Sequence, residues 1–211
     1  DFHNTKKRLE DFMEAVKRDE CGRVKDAWRE IELIARRTGD ASLLLDMAAR
    51  GELPIRVTHN DTKYNNILID DETNEALCVI DLDTVMPGLA AYDYGDAIRF
   101  AASSAAEDET DLSKVYLNME LYEQFTAGFV RATDGFLTDT EILTLPWGAR
   151  IITLELASRF LLDHLNGDKY FRIHRPNHNL ERARCQLALV LDMEKRFDDM
   201  CEIVKKYVKQ K

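Results

Sequence analysis

The amino-acid sequence predicts a mainly helical α+β protein with a small β-hairpin near its middle. Apolar residues recur at helical spacing over most of the 211 residues, and two short apolar runs with turn-forming residues between them interrupt that pattern. Hydrophobic residues make up 45% of the chain and charged residues 32%, which is typical of a globular domain. No apolar run approaches the roughly 18 residues of a membrane-spanning helix, so we expect no membrane partner.

The charge balance argues against one class of partner. The chain has 29 Lys and Arg against 39 Asp and Glu, a formal net charge of −10. A nucleic-acid backbone is therefore not an expected partner. An acidic surface commonly serves solvation, and it also suits a carboxylate-rich site that binds divalent cations.

The cysteines and the start of the chain bear on its cellular setting. The four cysteines contain no C-x-x-C pair, and Cys78 and Cys185 lie in apolar stretches. We therefore expect reduced thiols and a cytoplasmic protein. The chain starts at Asp1, without an initiator Met, and enters a helical pattern at once, so we expect it to be cut from a longer polypeptide.

Residues 1–52 are predicted to form a helical lead-in of three helices. Apolar residues recur at helical spacing from Phe2 to Val16, from Val24 to Ile34 and from Leu43 to Ala49. Gly39 and Gly51 are the expected stops of the second and third helices.

Residues 53–104 are predicted to form the core that carries the chemistry. An extended run, Pro54 to Thr58, leads into the polar cluster His59 to Asn66. The apolar runs Ile67 to Ile69 and Ala76 to Ile80 flank a turn-forming segment and predict a β-hairpin. A helix is expected from Asp93 to Ala102.

Residues 105–211 are predicted to form a helical, substrate-binding subdomain. An acidic linker over residues 105–113 is expected first. Three helices are expected after it: Met119 to Ala132, Thr138 to Leu165 with a kink or break at Pro146, and Asn179 to Val208.

The polar cluster and the end of the hairpin contain residues suited to phosphoryl transfer. A hairpin returns the chain to where it began, so Asp81 should lie beside Asn66. Their amide and carboxylate oxygens are hard ligands of the kind that Mg²⁺ accepts, with water and phosphate oxygens in the other positions. Asp61 is then left to act on a hydroxyl, and phosphoryl transfer needs this combination of one carboxylate and bound cations.

This arrangement resembles that of the kinase superfamily. His59, Asp61 and Asn66 are spaced as in its catalytic loop, H-x-D-x-x-x-x-N, and Asp81 follows a hairpin as its metal-binding Asp does. The H-N-D form of the loop, and the I-D-x-D segment that begins at Ile80, are similar to the small-molecule branch, the aminoglycoside phosphotransferase and choline kinase group. Within that branch four segments resemble the N-acetylhexosamine kinases: Thr58 to Asn66, Ile80 to Gly88, Tyr92 to Phe100 and Tyr170 to Pro176.

The resemblance implies the C-terminal lobe of a protein-kinase-like fold, with ATP as co-substrate and Mg²⁺ as cofactor. It implies that Asp61 is the base and that Lys63 steadies the γ-phosphate. Asn66 and Asp81 would hold the metal ion. Asp83 either joins a second Mg²⁺ or caps a turn.

Two residues are expected to support the catalytic loop. We expect His59 to be a structural histidine, hydrogen-bonded beneath the loop. Asp93, which opens the next predicted helix, is implied by the resemblance to accept backbone N–H bonds from the loop. Asp96 and Arg99 are expected to form a surface pair or to support the site.

Candidates for binding the acceptor lie in the helical half. Arg159 interrupts an apolar stretch, where a charge is normally paired or used, or extends to solvent. Tyr170 lies near Arg172, and an aromatic ring beside an arginine suits stacking on a sugar; the resemblance supports Arg159 and Tyr170 as acceptor-site residues. His174 and Arg175 either assist or cap the last helix.

The prediction is therefore an ATP- and Mg²⁺-dependent kinase that phosphorylates the anomeric hydroxyl of an N-acetylhexosamine. An aminoglycoside, choline or homoserine kinase is an alternative, as is a non-catalytic kinase-like binding module. The superfamily also needs an N-terminal lobe with a phosphate-covering loop and an adenine hinge, and no such sequence is present in these residues. We expect that lobe in the same polypeptide, and we expect this chain alone to be inactive.

Overall fold

The computed structural model describes residues 2–133 and 135–208. This part of the chain contains nine α-helices: α1 Thr5–Arg18, α2 Trp28–Ala35, α3 Leu43–Ala49, α4 Ala90–Ala101, α5 Met119–Ala132, α6 Asp139–Leu143, α7 Leu145–Leu165, α8 His178–Lys195 and α9 Phe197–Lys205. Four short strands lie between α3 and α4: β1 Arg56–Thr58, β2 Ile67–Ile69, β3 Ala76–Val79 and β4 Met86–Gly88. The protein is mainly helical, as predicted.

The four strands form two antiparallel pairs. β2 pairs with β3, with Ile67 opposite Val79, and β1 pairs with β4, with Arg56 opposite Gly88. The second pairing joins the two ends of the segment 59–85. The polar loop after β1 and the loop after β3 therefore return to the same place.

Helix α7 is the central element of the fold. It packs against α1, α4 and α8, and almost all of its side chains are buried. Gly95 on α4 and Gly148 on α7 allow this contact, because a Cβ on Gly95 would overlap the carbonyl oxygen of Gly148. The contact brings the middle of α7 beside the loop that follows β1.

The apolar core has two parts that share α7. Near its start, α7 packs with Tyr94, Tyr122 and Leu189. Further along, it packs with Phe12 and Ile34 from the N-terminal helices. The first 50 residues are thus integrated with the rest of the fold. Within the described residues, no helix is long and apolar enough to cross a bilayer.

Several helix boundaries differ from those expected. Helix α4 begins at Ala90, so Asp93 lies within its first turns and does not open it. The segment 138–165 is divided at Thr144, and Pro146 lies in the first turn of α7, where its missing N–H costs nothing. The predicted last helix is two helices, α8 and α9, separated at Arg196.

The segment 105–113, which was predicted to be an acidic linker, makes specific contacts with two helices. Glu107 forms an ion pair with the buried Arg99, with 2.9 Å between Oε1 and the guanidinium nitrogen. Asp108 accepts a hydrogen bond from Nε2 of His178 at 2.9 Å. These two acidic side chains fasten the segment to α4 and α8.

Candidate active site

Asp93 shapes the predicted catalytic loop, residues 59–66. Its two carboxylate oxygens accept the backbone N–H groups of His59 at 2.8 Å and Asn60 at 2.7 Å. Its own carbonyl accepts the hydroxyl of Thr62 at 2.6 Å. Burial raises the pKa of Asp93, and the two backbone donors oppose that rise. The geometry is the one that the resemblance implied for this residue.

Asn60 fixes the start of the catalytic loop. Its backbone is left-handed, with φ 66°, and its side chain is buried. The side-chain amide donates to the carbonyl of Thr84 at 2.9 Å, and its oxygen accepts the hydroxyl of Thr58 at 2.9 Å. These bonds tie the loop to β1 and to the turn that precedes β4, and the left-handed residue turns the chain so that Asp61 follows.

His59 links the catalytic loop to the end of β3. The N–H of Asp61 donates to Nδ1 of His59 at 3.2 Å, so Nδ1 carries no proton. Nε2 therefore carries the proton and donates it to the carbonyl of Ile80 at 3.0 Å. The ring therefore links Asp61 to Ile80, the residue before Asp81.

Asp61 is held by two neighbours in the same loop. Nζ of Lys63 lies 2.7 Å from its Oδ2, and Nδ2 of Asn66 donates to the same oxygen at 3.0 Å. Asn66 also donates to the main-chain carbonyl of Asp61 at 2.8 Å. Because the amide nitrogen of Asn66 is used in this way, its amide oxygen remains available as a ligand.

The hairpin places Asp81 beside Asn66. The N–H of Ile80 donates to the carbonyl of Asn66 at 2.9 Å, and Asp81 follows with a left-handed φ of 63°. A hydrogen bond with Asp83 and the charge of that carboxylate raise the pKa of Asp81. Two carboxylates this close together form a donor set whose charge a divalent cation would neutralise.

The carboxylates at this place are too few to form a metal site by themselves. Within the described residues, no group of three His, Cys, Asp or Glu side chains is arranged to hold a metal ion. Asn66, Asp81 and Asp83 would supply one amide and two carboxylate ligands. That set fits Mg²⁺, which commonly keeps water and phosphate oxygens in its remaining positions.

A cavity of about 470 Å³ connects the catalytic loop with the helical half. Its lining includes the side chains expected to act on phosphate and metal, Asp61, Lys63, Asp81 and Asp83. It also includes three of the four residues expected to bind the acceptor, Arg159, Tyr170 and His174.

The fourth, Arg175, does not line this cavity. Its guanidinium binds Glu181 at 2.6 Å and Asp108 at 3.2 Å instead. Because both carboxylates lie on the side of α8 and the acidic segment, the structure places Arg175 in a scaffold contact and away from the acceptor candidates.

Asp163 shapes the segment that presents Tyr170, residues 166–177, here called the acceptor loop. Its Oδ1 accepts the N–H groups of Lys169 at 2.9 Å and Tyr170 at 2.8 Å, and its Oδ2 accepts that of Phe171 at 2.9 Å. The amide of Asn179 donates to Oδ2 at 2.8 Å. A single buried carboxylate thus fixes the backbone of the acceptor loop.

Asp96 and Arg99 are buried and do not form a surface pair. The guanidinium Nε of Arg99 lies 2.8 Å from Oδ1 of Asp96, and both side chains are 6% exposed. Together with Glu107 they line the cavity. The sequence pattern of α4 suggests that its polar face is exposed. In the folded chain residues 105–108 pack over that face and bury it.

Three polar residues that line the cavity were not predicted from the sequence. They are His3, Glu155 and Arg182. Glu155 carried a usable signal, because it is a charge in the same apolar helical stretch that singled out Arg159. His3, near the start of the chain, carried no such signal.

A helical lobe with a hairpin, a polar loop closed by a carboxylate and an amide, and an aspartate pair beside them define a kinase-like phosphotransferase. A comparison with family models agrees with this class. Residues 1–127 match the model of the phosphotransferase enzyme family, APH. The chain belongs to that family, which is part of the protein-kinase-like superfamily and normally uses ATP and Mg²⁺.

Proposed function

We propose that this chain is the acceptor-binding and catalytic lobe of a kinase that phosphorylates the anomeric hydroxyl of an N-acetylhexosamine. The observation that carries the proposal is the shared cavity. Asp61 and Lys63 line it, and so do Arg159 and Tyr170. An acceptor bound between them would present a hydroxyl to Asp61.

Asp61 is the proposed base. Its carboxylate accepts the proton of the acceptor hydroxyl while the hydroxyl oxygen forms a bond to the γ-phosphorus, and the bond from that phosphorus to the ADP oxygen breaks. The ammonium of Lys63, 2.7 Å from Asp61, places a positive charge near the transferring group. Asn66, Asp81 and Asp83 would hold Mg²⁺, which neutralises phosphate charge when bound.

The acceptor side of the cavity suits a neutral, hydroxyl-rich ring. The guanidinium of Arg159 lies 5.5 Å from the ring centre of Phe2 and 5.6 Å from that of Phe171, so aromatic faces orient it. The ring of Tyr170 is 73% exposed and is available to stack on a sugar. His174 lines the same side.

The charges around the cavity favour a neutral acceptor over a polycation. Its lining holds six carboxylates, Asp61, Asp81, Asp83, Asp96, Glu107 and Glu155, and five cationic side chains, Lys63, Arg99, Arg159, Arg172 and Arg182. This near balance does not select for an aminoglycoside. A choline site would need an aromatic cage open to a cation. Phe2, Phe160, Tyr170 and Phe171 line the cavity, but the guanidinium of Arg159 already lies 5.5 Å from the ring centre of Phe2 and 5.6 Å from that of Phe171.

We also propose that the nucleotide-binding lobe packs on the hairpin and that this chain alone does not turn over. All four residues of β3 are exposed, including Leu77 at 62% and Val79 at 53%. Leu68 on the paired strand β2 is exposed as well. Exposed apolar side chains grouped on one hairpin are typical of a protein interface.

The test is ³¹P NMR on the enzyme with its nucleotide lobe, supplied with Mg²⁺-ATP. The panel is N-acetylglucosamine, N-acetylgalactosamine, kanamycin and choline. We expect a sugar 1-phosphate resonance that Asp61→Asn lowers by about 100-fold or more. Transfer to kanamycin or choline alone would refute the sugar assignment. Absence of transfer to any acceptor would favour the binding-module alternative.

A further inference from the structure

Glu155 is a buried carboxylate at the edge of the acceptor cavity. It lies in the middle of α7, is 2% exposed, and lines the cavity. Its Oε1 lies 2.9 Å from Nδ1 of His3. Its Oε2 is buried and has no hydrogen-bond partner within the part of the chain that the structure describes. Such an oxygen normally has a donor, because a buried carboxylate is costly without one.

His3 connects Glu155 to the catalytic loop. Its Nε2 lies 3.1 Å from the carbonyl oxygen of Asn60, which can only accept, so Nε2 carries a proton. A second proton is shared between Nδ1 and Oε1 of Glu155, as a charged or a neutral pair. The contact fixes Glu155 relative to Asn60, and Asp61 is the next residue.

Glu155 does not form an ion pair with Arg159 of the same helix. Arg159 is four residues further along α7, a spacing at which Glu and Arg ordinarily pair. Here the guanidinium lies instead between the rings of Phe2 and Phe171, at 5.5 and 5.6 Å from their centres. Both residues line the same cavity. An acceptor oxygen from Glu155 and donors from Arg159 are thus presented side by side without neutralising each other.

We propose that Glu155 is a specificity-determining residue for the acceptor: its carboxylate turns toward the cavity that it lines, and a hydroxyl or amide N–H of the acceptor donates to Oε2. The proposal rests on the proposed function and adds a requirement to it. Besides the hydroxyl that is phosphorylated, the acceptor carries a hydrogen-bond donor that meets Glu155. A site built around a buried acceptor atom discriminates strongly against analogues that lack the matching donor.

An internal partner is the competing explanation for the orphaned oxygen. The hydroxyl of Tyr92 is also buried without a partner among the described residues. Burial raises the pKa of Tyr92, and the nearby charge of Glu155 adds to the rise. A hydrogen bond between these two side chains would satisfy both groups without any ligand. Tyr92 therefore provides the matched control.

The experiment compares the parent enzyme, with its nucleotide lobe, with Glu155→Leu, Glu155→Gln and Tyr92→Phe. Initial rates are measured with N-acetylglucosamine and with its deoxy analogues, each lacking one hydroxyl. We expect Glu155→Leu to raise the acceptor KM at least tenfold and to leave the ATP KM within twofold. Glu155→Gln keeps an acceptor oxygen, so its effect should be smaller, and Tyr92→Phe should match the parent.

The deciding measurement is whether the effect of Glu155→Leu on kcat/KM depends on which hydroxyl the substrate lacks. For one deoxy analogue, the parent and Glu155→Leu should have equal kcat/KM, because the interacting pair is already broken. The same loss for every analogue, with Tyr92→Phe giving that loss too, would overturn the proposal in favour of an internal pair. If Glu155→Leu does not fold, the same comparison is read from Glu155→Met, which also lacks an acceptor oxygen and is closer to glutamate in length. Failure of the proposed function would appear separately, as a parent enzyme that makes no sugar 1-phosphate.

Discussion

The backbones of the catalytic loop and the acceptor loop are each held by one carboxylate. The two loops differ in whether their side chains are fixed as well. Asp93 accepts two backbone N–H groups from the catalytic loop, and Asp163 accepts three from the acceptor loop. In both cases one carboxylate, half-buried at Asp93 and buried at Asp163, replaces a regular ladder of main-chain hydrogen bonds. A loop can be rigid in backbone without belonging to a helix or a sheet.

The side chains of the two loops behave differently. In the catalytic loop, Asp61, Lys63 and Asn66 bind one another, so their positions are mutually fixed. In the acceptor loop, the ring of Tyr170 projects from a fixed backbone and is 73% exposed. The chemistry is thus preorganised, while the acceptor surface can change by substitution without disturbing its support.

Removing the support of the acceptor loop should give the largest loss of stability. Asp163→Ala leaves three backbone donors and the amide of Asn179 without their acceptor, at about 1–3 kcal/mol for each unsatisfied group before relaxation. We expect a loss of about 3–5 kcal/mol in the free energy of unfolding, measured by urea denaturation. Asp163→Asn keeps one acceptor oxygen and should lose about half as much. A loss below about 1 kcal/mol for Asp163→Ala would show that the loop has other support.

The equivalent change in the catalytic loop should affect turnover more than stability. Asp93→Asn replaces one acceptor oxygen by an NH₂ group that faces a backbone donor, so we expect a loss of about 1–2 kcal/mol in unfolding free energy. Displacement of Asp61 should lower kcat by about 10- to 100-fold. Asp163→Asn, the matched variant, should raise the acceptor KM and leave kcat nearly unchanged. The two loops would not be separable in function if both variants lowered kcat equally.

A second carboxylate anchors the catalytic loop through β1, and its contribution should depend on pH. Arg56 donates two hydrogen bonds to Glu141, at 2.9 and 2.8 Å. Burial by itself would raise the pKa of Glu141, but the bonds from Arg56 and from the Thr138 amide hold it below its usual value. The stabilisation is therefore complete above the unfolded-state pKa of about 4.3 and is lost as the pH falls through the lower folded-state pKa.

Glu141→Gln tests this anchor. At pH 7 we expect a loss of about 1–2 kcal/mol in unfolding free energy. The difference between parent and variant should shrink from about pH 5 downwards, since protonation removes the same charge from the parent. Urea denaturation at pH 7, 5, 4 and 3 measures it. A difference that is constant over this range would mean that the charge of Glu141 contributes nothing.

The smallest change in stability is expected at the surface of the acceptor loop. Tyr170 is largely exposed, so Tyr170→Ala should alter the unfolding free energy by no more than about 0.5 kcal/mol. It should nevertheless raise the acceptor KM, because the ring is the proposed stacking surface. Tyr170→Phe keeps the ring and serves as the control. An unchanged KM in Tyr170→Ala would remove this residue from the acceptor site.

Elements with strong local signals were predicted well from the sequence. Helices α3 and α5 have the predicted bounds, and the strands β2 and β3 lie in the predicted runs, because apolar periodicity and turn residues act locally. The errors lie where tertiary contacts decide. The start of α4 follows from the pairing of Met86–Gly88 with β1, and no local sequence pattern predicts that pairing.

The same division holds for the site. The spacing of Asp61, Asn66 and Asp81 was sufficient to predict that they converge, since a hairpin must return to its start. Arg175 was predicted either to assist acceptor binding or to cap the last helix. It pairs with Glu181 of α8, six residues further on, and with Asp108, 67 residues earlier, and only the folded chain brings Asp108 to it. Glu155 and His3 meet across 152 positions, a contact that a motif of adjacent residues does not contain.

The sequence by itself determined the class of chemistry, because the residues that act on phosphate lie within one hairpin and its flanking loops. Only the tertiary structure decided what faces them. The packing of α7 against α4 through Gly95 and Gly148 brings Glu155 and Arg159 to the cavity, and Asp163 aims Tyr170 at its rim. Such contacts depend on helix packing and on buried charges that find their partners only when the chain is folded.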